Sequence, residues 1–126
     1  MILEIRLSNF FSIKDEVVLD MQAASIQTKK AKELEENTFV CGNERLLKTV
    51  AIYGANASGK TNILNAIGFF RMLVLRMPKD RNAKTGVVPF MLDDTSRNEK
   101  TKMSMVFYIN QSKYILSFEL DERYIY

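Results

Sequence analysis

The sequence contains no histidine and a single cysteine, Cys41. Without histidine, zinc sites of the usual His/Cys kind and catalysis by a histidine base are excluded. One cysteine cannot form an internal disulfide, which favours a reducing compartment. No apolar run approaches the ~18 residues of a membrane-spanning helix, and no basic segment followed by an apolar one opens the chain. We therefore expect a cytoplasmic protein with no signal peptide and no membrane partner.

The composition is that of an ordinary folded domain. The chain has 126 residues, of which 47% are hydrophobic and 26% are charged, with a net charge of +3. This length fits one domain, and the hydrophobic content excludes intrinsic disorder. A net charge of +3 lies within the range of soluble domains, so charge alone says little about an anionic partner.

The N-terminal segment predicts an antiparallel hairpin. Residues 2–7 alternate apolar and polar side chains, which is typical of a strand with one buried face. Residues 16–21 resume the pattern after a turn at Lys14-Asp15, so the two strands are expected to pair. Residues 22–37 are polar and charged, and we expect them to form a solvated loop with at most a helical turn.

The middle of the chain predicts a strand, a turn and a helix around a glycine-rich segment. Residues 38–40 favour a short strand and residues 41–44 a turn. Residues 50–53 are an uninterrupted apolar run that ends at Gly54, as in a parallel strand covered on both faces. After the glycine-rich segment, apolar residues recur every three or four positions. They predict an amphipathic helix of about 17 residues, closed by Met77-Pro78.

The C-terminal part of the chain has a different residue pattern from the helical segment before it. Residues 78–101 are rich in loop-forming residues and contain one apolar stretch at 87–92. Residues 103–109 and 114–120 alternate with a period of two, which predicts an antiparallel β-meander with a turn between its strands. A third strand is expected at 124–126.

The glycine-rich segment matches the pattern G-x-x-x-x-G-K-[ST] at every fixed position. Its residues are Gly54, Ala55, Asn56, Ala57, Ser58, Gly59, Lys60 and Thr61. Glycines allow the tight turn that points backbone N–H groups inward, and the following helix adds its N-terminal dipole. Lys60 then supplies a charge to the β- and γ-phosphates, and Thr61 offers its hydroxyl to Mg²⁺. The alternative, a glycine-rich turn with a solvated lysine, is disfavoured by the flanking strand and helix.

Two residues at the variable positions of the pattern resemble those of a known protein family. Asn56 and Ser58 are typical of phosphate loops in ABC-type ATPase heads of the SMC/RecF/OLD group, whereas nucleotide kinases and small GTPases usually carry other residues there. The segment Leu7–Ser12 resembles the "NF-x-S" start of such heads. Over nearly its whole length, the chain resembles the N-terminal part of such a head. The most similar group is the bacterial "AAA family ATPase" proteins of abortive-infection type.

This resemblance implies an α/β fold, a partial P-loop NTPase with an antiparallel β-subdomain. Residues 1–126 would be the N-terminal lobe of the head, with the phosphate loop at 54–61 and the meander at 103–126, and the remainder of the head would lie outside this chain. The implied cofactors are ATP and Mg²⁺, with Thr61 as the metal ligand. The implied phosphate-side residues are Gly54, Asn56, Ala57, Ser58, Gly59, Lys60, Thr61 and Asn62. By the same resemblance the nucleoside-side candidates are Asn9, Phe10, Phe11 and Ser12, with core packing as the alternative for the two aromatic residues.

Parts that a complete ATPase needs are not found in this sequence. Asp121-Glu122 ends an alternating strand and is expected to be a turn rather than a Walker B pair, and no signature motif is present. We therefore assign no catalytic residue and expect this chain alone to hydrolyse ATP negligibly. The full-length protein would be an ATPase in DNA maintenance or phage defence that forms an ATP-dependent homodimer, with DNA or a nuclease as partner. Two alternatives remain open: a regulatory module that senses ATP without turnover, and a fragment of a P-loop kinase or GTPase.

Overall fold

The computed structural model describes residues 1–25, 35–76 and 83–126. Two helices and six strands are formed in these ranges, together with a 3₁₀ turn at Glu35–Asn37. In chain order they are β1 (Ile2–Ser8), β2 (Val17–Asp20), β3 (Thr38–Cys41), β4 (Glu44–Leu47), α1 (Lys60–Leu75), α2 (Asp94–Asn98), β5 (Thr101–Ile109) and β6 (Ser112–Leu120).

The main sheet is antiparallel and has the strand order β2-β1-β5-β6. The N-terminal hairpin and the first two strands of the meander are thus confirmed. Asn110 and Gln111 connect β5 to β6 with φ angles of 47° and 67°. Two successive left-handed residues are the geometry of a tight two-residue hairpin. The third meander strand does not form, since Ile125 makes only an isolated bridge to Leu120.

Helix α1 packs on one face of this sheet. Its buried residues are Ala66, Phe70 and Leu73, whose spacing places them on one side of the helix. They pack in one cluster with inward-facing residues of the sheet, namely Ile5, Leu7, Met103 and Leu120. The predicted amphipathic helix is confirmed at Lys60–Leu75. Among the described residues, no helix has both the length and the apolarity needed to cross a membrane.

The hairpin β3–β4 covers part of the other face of the sheet. Leu46 is fully buried and packs with Leu3, Cys41 and Tyr108. The Tyr108 hydroxyl donates a hydrogen bond to Glu44 Oε2 at 2.5 Å, and this bond raises the pKa of Tyr108 to about 12. The strand predicted at 38–40 is confirmed, whereas β4 begins where only a turn was expected.

Residues 50–53 do not form the predicted parallel strand. They are exposed, Tyr53 to 90%, and they belong to no strand. A parallel strand covered on both faces needs parallel neighbours, and the sheets of the described residues pair only antiparallel strands. The prediction is therefore wrong for this part of the chain.

The segment between α1 and β5 contains a short helix that periodicity did not predict. The side chain of Asp93 caps α2 by accepting a hydrogen bond from the Ser96 N–H at 2.6 Å. Val87, from the predicted apolar stretch, is buried in the main core. The expected helix end at Met77-Pro78 and most of the charged loop at 22–37 lie outside the described residues.

Candidate functional site

The segment Gly54–Thr61 leads into the N-terminus of α1 and is open to solvent. Residues 51–58 are exposed, and the helix begins at Lys60. Gly59 precedes it with a φ of +90°, and no side chain caps the helix. The first N–H groups of α1 are thus left for another acceptor, and the positive end of the helix dipole points at this segment.

The side chain of Lys60 folds back over the segment. Its ammonium group donates to the carbonyl oxygens of Gly54 at 2.8 Å and Ala55 at 2.5 Å, and it lies 3.4 Å from Ser58 Oγ. A Cβ at position 54 would lie only 2.8 Å from Ser58 Oγ, so an alanine there would force the Ser58 side chain to move. Ala57 also adopts a left-handed φ of 62°. The arrangement is a compact loop with a positive charge held against it.

Ser12 brings the turn between β1 and β2 against this loop. Its Oγ accepts a hydrogen bond from Asn62 Nδ2 at 2.6 Å. The same oxygen would lie 3.3 Å from a Cβ placed on Gly59. Ser12 therefore lies beside the loop.

Asn9 and Phe10 turn into the protein instead. The Asn9 amide nitrogen donates to the carbonyls of Ser96 at 2.8 Å and Glu99 at 2.9 Å, and its oxygen accepts from the Phe90 N–H at 2.9 Å. Phe10 is 1% exposed, and its ring centroid lies 5.6 Å from that of Phe69. Phe10 is therefore packed in the core, which was the alternative expected for it. Hydrogen bonding to buried backbone occupies Asn9 in the same way, so neither side chain faces the loop.

A cleft lies beside the Ser12 contact, between the loop and the rest of the turn that joins β1 to β2. Its volume is about 350 Å³, and it is lined by residues 12–17 on one side and by Ser58, Gly59 and Ile63 on the other. Cavities of roughly 300–1,000 Å³ are typical of small-molecule sites. The geometry thus places an open cavity directly beside the loop that holds Lys60.

Asp121 and Glu122 form a turn, as the alternating pattern predicts. Asp121 Oδ1 accepts from the N–H groups of Arg123 and Tyr124 at 2.7 and 2.8 Å, and Oδ2 accepts from the Tyr126 hydroxyl. The bond from the Tyr124 N–H contributes most to lowering the pKa of Asp121. Glu122 pairs with Lys84. Asp121 is therefore engaged within its own turn, and Glu122 is paired with a lysine from another part of the chain.

Residues 50–125 match the model of a protein family described as "AAA domain, putative AbiEii toxin, Type IV TA system". The match covers more than half of the chain. The chain belongs to this AAA domain family. Searches of curated proteins and of solved structures found no match. Family membership confirms the expected AAA-type, ATPase-like region and implies that this AAA domain uses a nucleotide. The matched span contains the loop, both helices, β5 and β6, while the turn that carries Ser12 precedes it.

Proposed function

We propose that this AAA domain binds ATP together with Mg²⁺ through the phosphate loop Gly54–Thr61. The observation that carries the proposal is the convergence of the Lys60 ammonium and the uncapped N-terminus of α1 on one exposed loop. Both features attract anions, and a Walker A spacing places them together. The adjoining cleft offers room for the rest of the nucleotide.

Each loop residue has a role in this proposal. The backbone of Gly54, Asn56, Ala57, Ser58 and Gly59 surrounds the phosphates, and Asn62 stands beside them in the first turn of α1. Lys60 leaves the carbonyls of Gly54 and Ala55 and neutralises phosphate charge. Thr61, also in the first turn, offers a hard hydroxyl oxygen of the kind that Mg²⁺ prefers. When bound, Mg²⁺ supplies neutralising charge to the phosphate oxygens.

The experiment compares the melting temperature with and without Mg²⁺-ATP in the parent protein and in Lys60→Ala. A ligand that binds only the native state stabilises it by RT ln(1 + [L]/Kd), about 2.7 kcal/mol at a hundredfold excess. We expect Lys60→Ala to lose most of that gain. Lys102→Ala is the matched control, because Lys102 lies on β5 with its side chain 64% exposed. Equal ATP-induced shifts in the parent protein and Lys60→Ala would contradict the proposal.

The larger context is also part of the proposal: the chain is the N-terminal lobe of an ABC-type, SMC/RecF/OLD-like ATPase head. The complete protein would act in DNA maintenance or phage defence, with DNA or a nuclease as partner, and would dimerise around ATP. The apolar run 50–53 supports this proposal. It leads directly into the phosphate loop and leaves apolar side chains exposed, which further segments of a larger head would cover. The family description names a toxin of a toxin–antitoxin system, which is compatible with a role in phage defence.

A second candidate is a module that senses ATP without turnover. The observation that favours it is that Asp121 bonds the N–H groups of its own turn and Glu122 pairs with Lys84, so the two are not arranged as a Walker B pair. An assay of phosphate release on the full-length protein separates the readings, because an ATPase turns ATP over and a sensor does not. For this chain we expect no ATP turnover above a Lys60→Ala background. Turnover at the rate of a complete enzyme would show that the catalytic parts are present after all.

A further inference from the structure

We propose that Ser12 is a positioning residue for the phosphate loop and that it acts through Asn62. The inference rests on the proposed nucleotide binding and adds to it a part of the chain outside the family match. The carrying contact is the 2.6 Å hydrogen bond from Asn62 Nδ2 to Ser12 Oγ, between residues 50 positions apart.

The position of Ser12 is set by the core and not by the loop. Ser12 lies in a tight turn, Phe10–Ile13, whose ends exchange two backbone hydrogen bonds of 2.8 Å. Phe10 and Ile13 are buried in the main core, at 1% and 8% exposure. Because both ends of the turn are anchored, its hydroxyl is a rigid reference point for whatever it contacts.

Asn62 transmits that position to the loop. Its amide nitrogen bonds Ser12, and its amide oxygen accepts from Asn65 Nδ2 at 3.2 Å, so the side chain is held at both ends. Its backbone N–H donates to the Gly59 carbonyl at 2.9 Å. The Asn62 residue therefore links the Ser12 hydroxyl to the peptide that opens α1.

Gly59 lies between the Ser12 hydroxyl and Asn62. Its left-handed φ of +90° turns the chain from the loop into the helix, and its Cα faces Ser12 so closely that an added Cβ would lie 3.3 Å from Ser12 Oγ. The backbone N–H groups that follow Gly59 are those that would meet a phosphate. Holding Gly59 in place thus keeps these donors aligned before the ligand arrives, which lowers the ordering cost of binding.

The experiment measures the dissociation constant of Mg²⁺-ATP by titration calorimetry in Ser12→Ala, Asn62→Ala and the double variant. We expect each single variant to bind about 3- to 10-fold more weakly, as for the loss of one hydrogen bond. The double variant should bind ATP no more weakly than whichever single variant binds it less tightly, because both changes remove the same contact. Ser12→Thr keeps the hydroxyl and should restore most of the affinity.

Two further variants serve as controls for the role of the Ser12 hydroxyl. Ser117→Ala is the matched control, since it removes an exposed hydroxyl whose partner is Ser104 Oγ at 3.0 Å, and it should bind ATP as the parent does. Ser12→Cys preserves the size of the side chain with a poor acceptor, and it should bind as weakly as Ser12→Ala while melting like the parent without nucleotide.

The outcomes separate this inference from the proposed function. If the parent protein binds ATP in a Lys60-dependent way and Ser12→Ala and Ser12→Cys bind equally well, only the positioning role is overturned. It is overturned as well if the losses in Ser12→Ala and Asn62→Ala add up in the double variant, since the two residues then act separately. If the parent protein does not bind ATP at all, the proposed function and this inference fail together.

Discussion

The side-chain oxygen of Asn9 accepts a hydrogen bond from the backbone N–H of Phe90, 81 residues further along the chain, at 2.9 Å. The amide nitrogen of the same residue reaches the carbonyls of Ser96 and Glu99. One buried side chain thereby ties the end of β1 to both ends of the segment that carries α2. This tie lies directly before the turn that holds Ser12.

Asn9→Ala should lower the free energy of unfolding by about 2–4 kcal/mol, because it leaves buried backbone groups without partners. Asn9 also adopts a left-handed φ of 52°. Asn9→Gly relieves that backbone restriction and should be about 1 kcal/mol less destabilising than Asn9→Ala. Urea denaturation measures both. An Ala variant as stable as the parent would mean that the side-chain bonds contribute nothing.

Two glycines near α1 should respond to alanine in opposite ways. Gly68 lies within the helix with no atom within 4 Å of an added Cβ, so Gly68→Ala should stabilise the protein by about 0.5–1 kcal/mol. Gly59 has a φ of +90°, so Gly59→Ala should destabilise it by about 1–2 kcal/mol and weaken ATP binding. Thermal melts with and without nucleotide test the pair, and the same sign at both positions would contradict the assigned backbone.

The packing of α1 on the sheet can be tested with two leucines. Leu73 is fully buried, and Leu73→Ala should cost about 2–5 kcal/mol through lost burial and the cavity left behind. Leu75 is 65% exposed, and Leu75→Ala should change stability by no more than about 0.5 kcal/mol. Comparable losses in the two variants would mean that α1 packs through a different face.

Asp93 should make stability depend on pH in the acid range. Hydrogen bonds from the Ser96 N–H and from Lys14 lower the pKa of Asp93 from 3.8 to about 2. Because the folded pKa lies below the unfolded value, the stabilisation is complete above about pH 4 and is lost as pH falls through about 2. Asp93→Asn keeps an acceptor for the helix cap without the charge. Its melting temperature should therefore fall less than that of the parent between pH 5 and pH 2, whereas parallel curves would exclude Asp93 as the cause.

Most of the fold could be predicted because its signals are local. The period of two in β1, β5 and β6 and the three-to-four spacing in α1 are visible within one element. Helix α2 has five residues, too few to show a period. The run 50–53 misled for the opposite reason: an apolar run indicates what a strand would bury, and whether neighbouring strands exist depends on the rest of the fold.

The candidate site could likewise be predicted only where its residues lie close together in the sequence. The phosphate loop is recognisable because its fixed residues lie within eight consecutive positions, Gly54–Thr61. The contact between Ser12 and Asn62 joins residues 50 positions apart, and nothing in either local pattern indicates it. Asn9 and Phe10 were assigned with Ser12 by resemblance, which transfers positions along a chain. Side-chain direction in a tight turn changes from one residue to the next, so only part of the assigned group reaches the loop.

The carbonyl oxygens of Gly54 and Ala55 accept hydrogen bonds from the Lys60 ammonium, so in the proposed binding mode they compete with a phosphate for that donor. If ATP binds as proposed, the competent molecules are those in which the ammonium has left Gly54 and Ala55. The apparent dissociation constant therefore exceeds the intrinsic one by the inverse of that fraction. Under the proposed function, the nucleotide concentration that half-fills the site would thus depend in part on the strength of the bonds between Lys60 and these carbonyls.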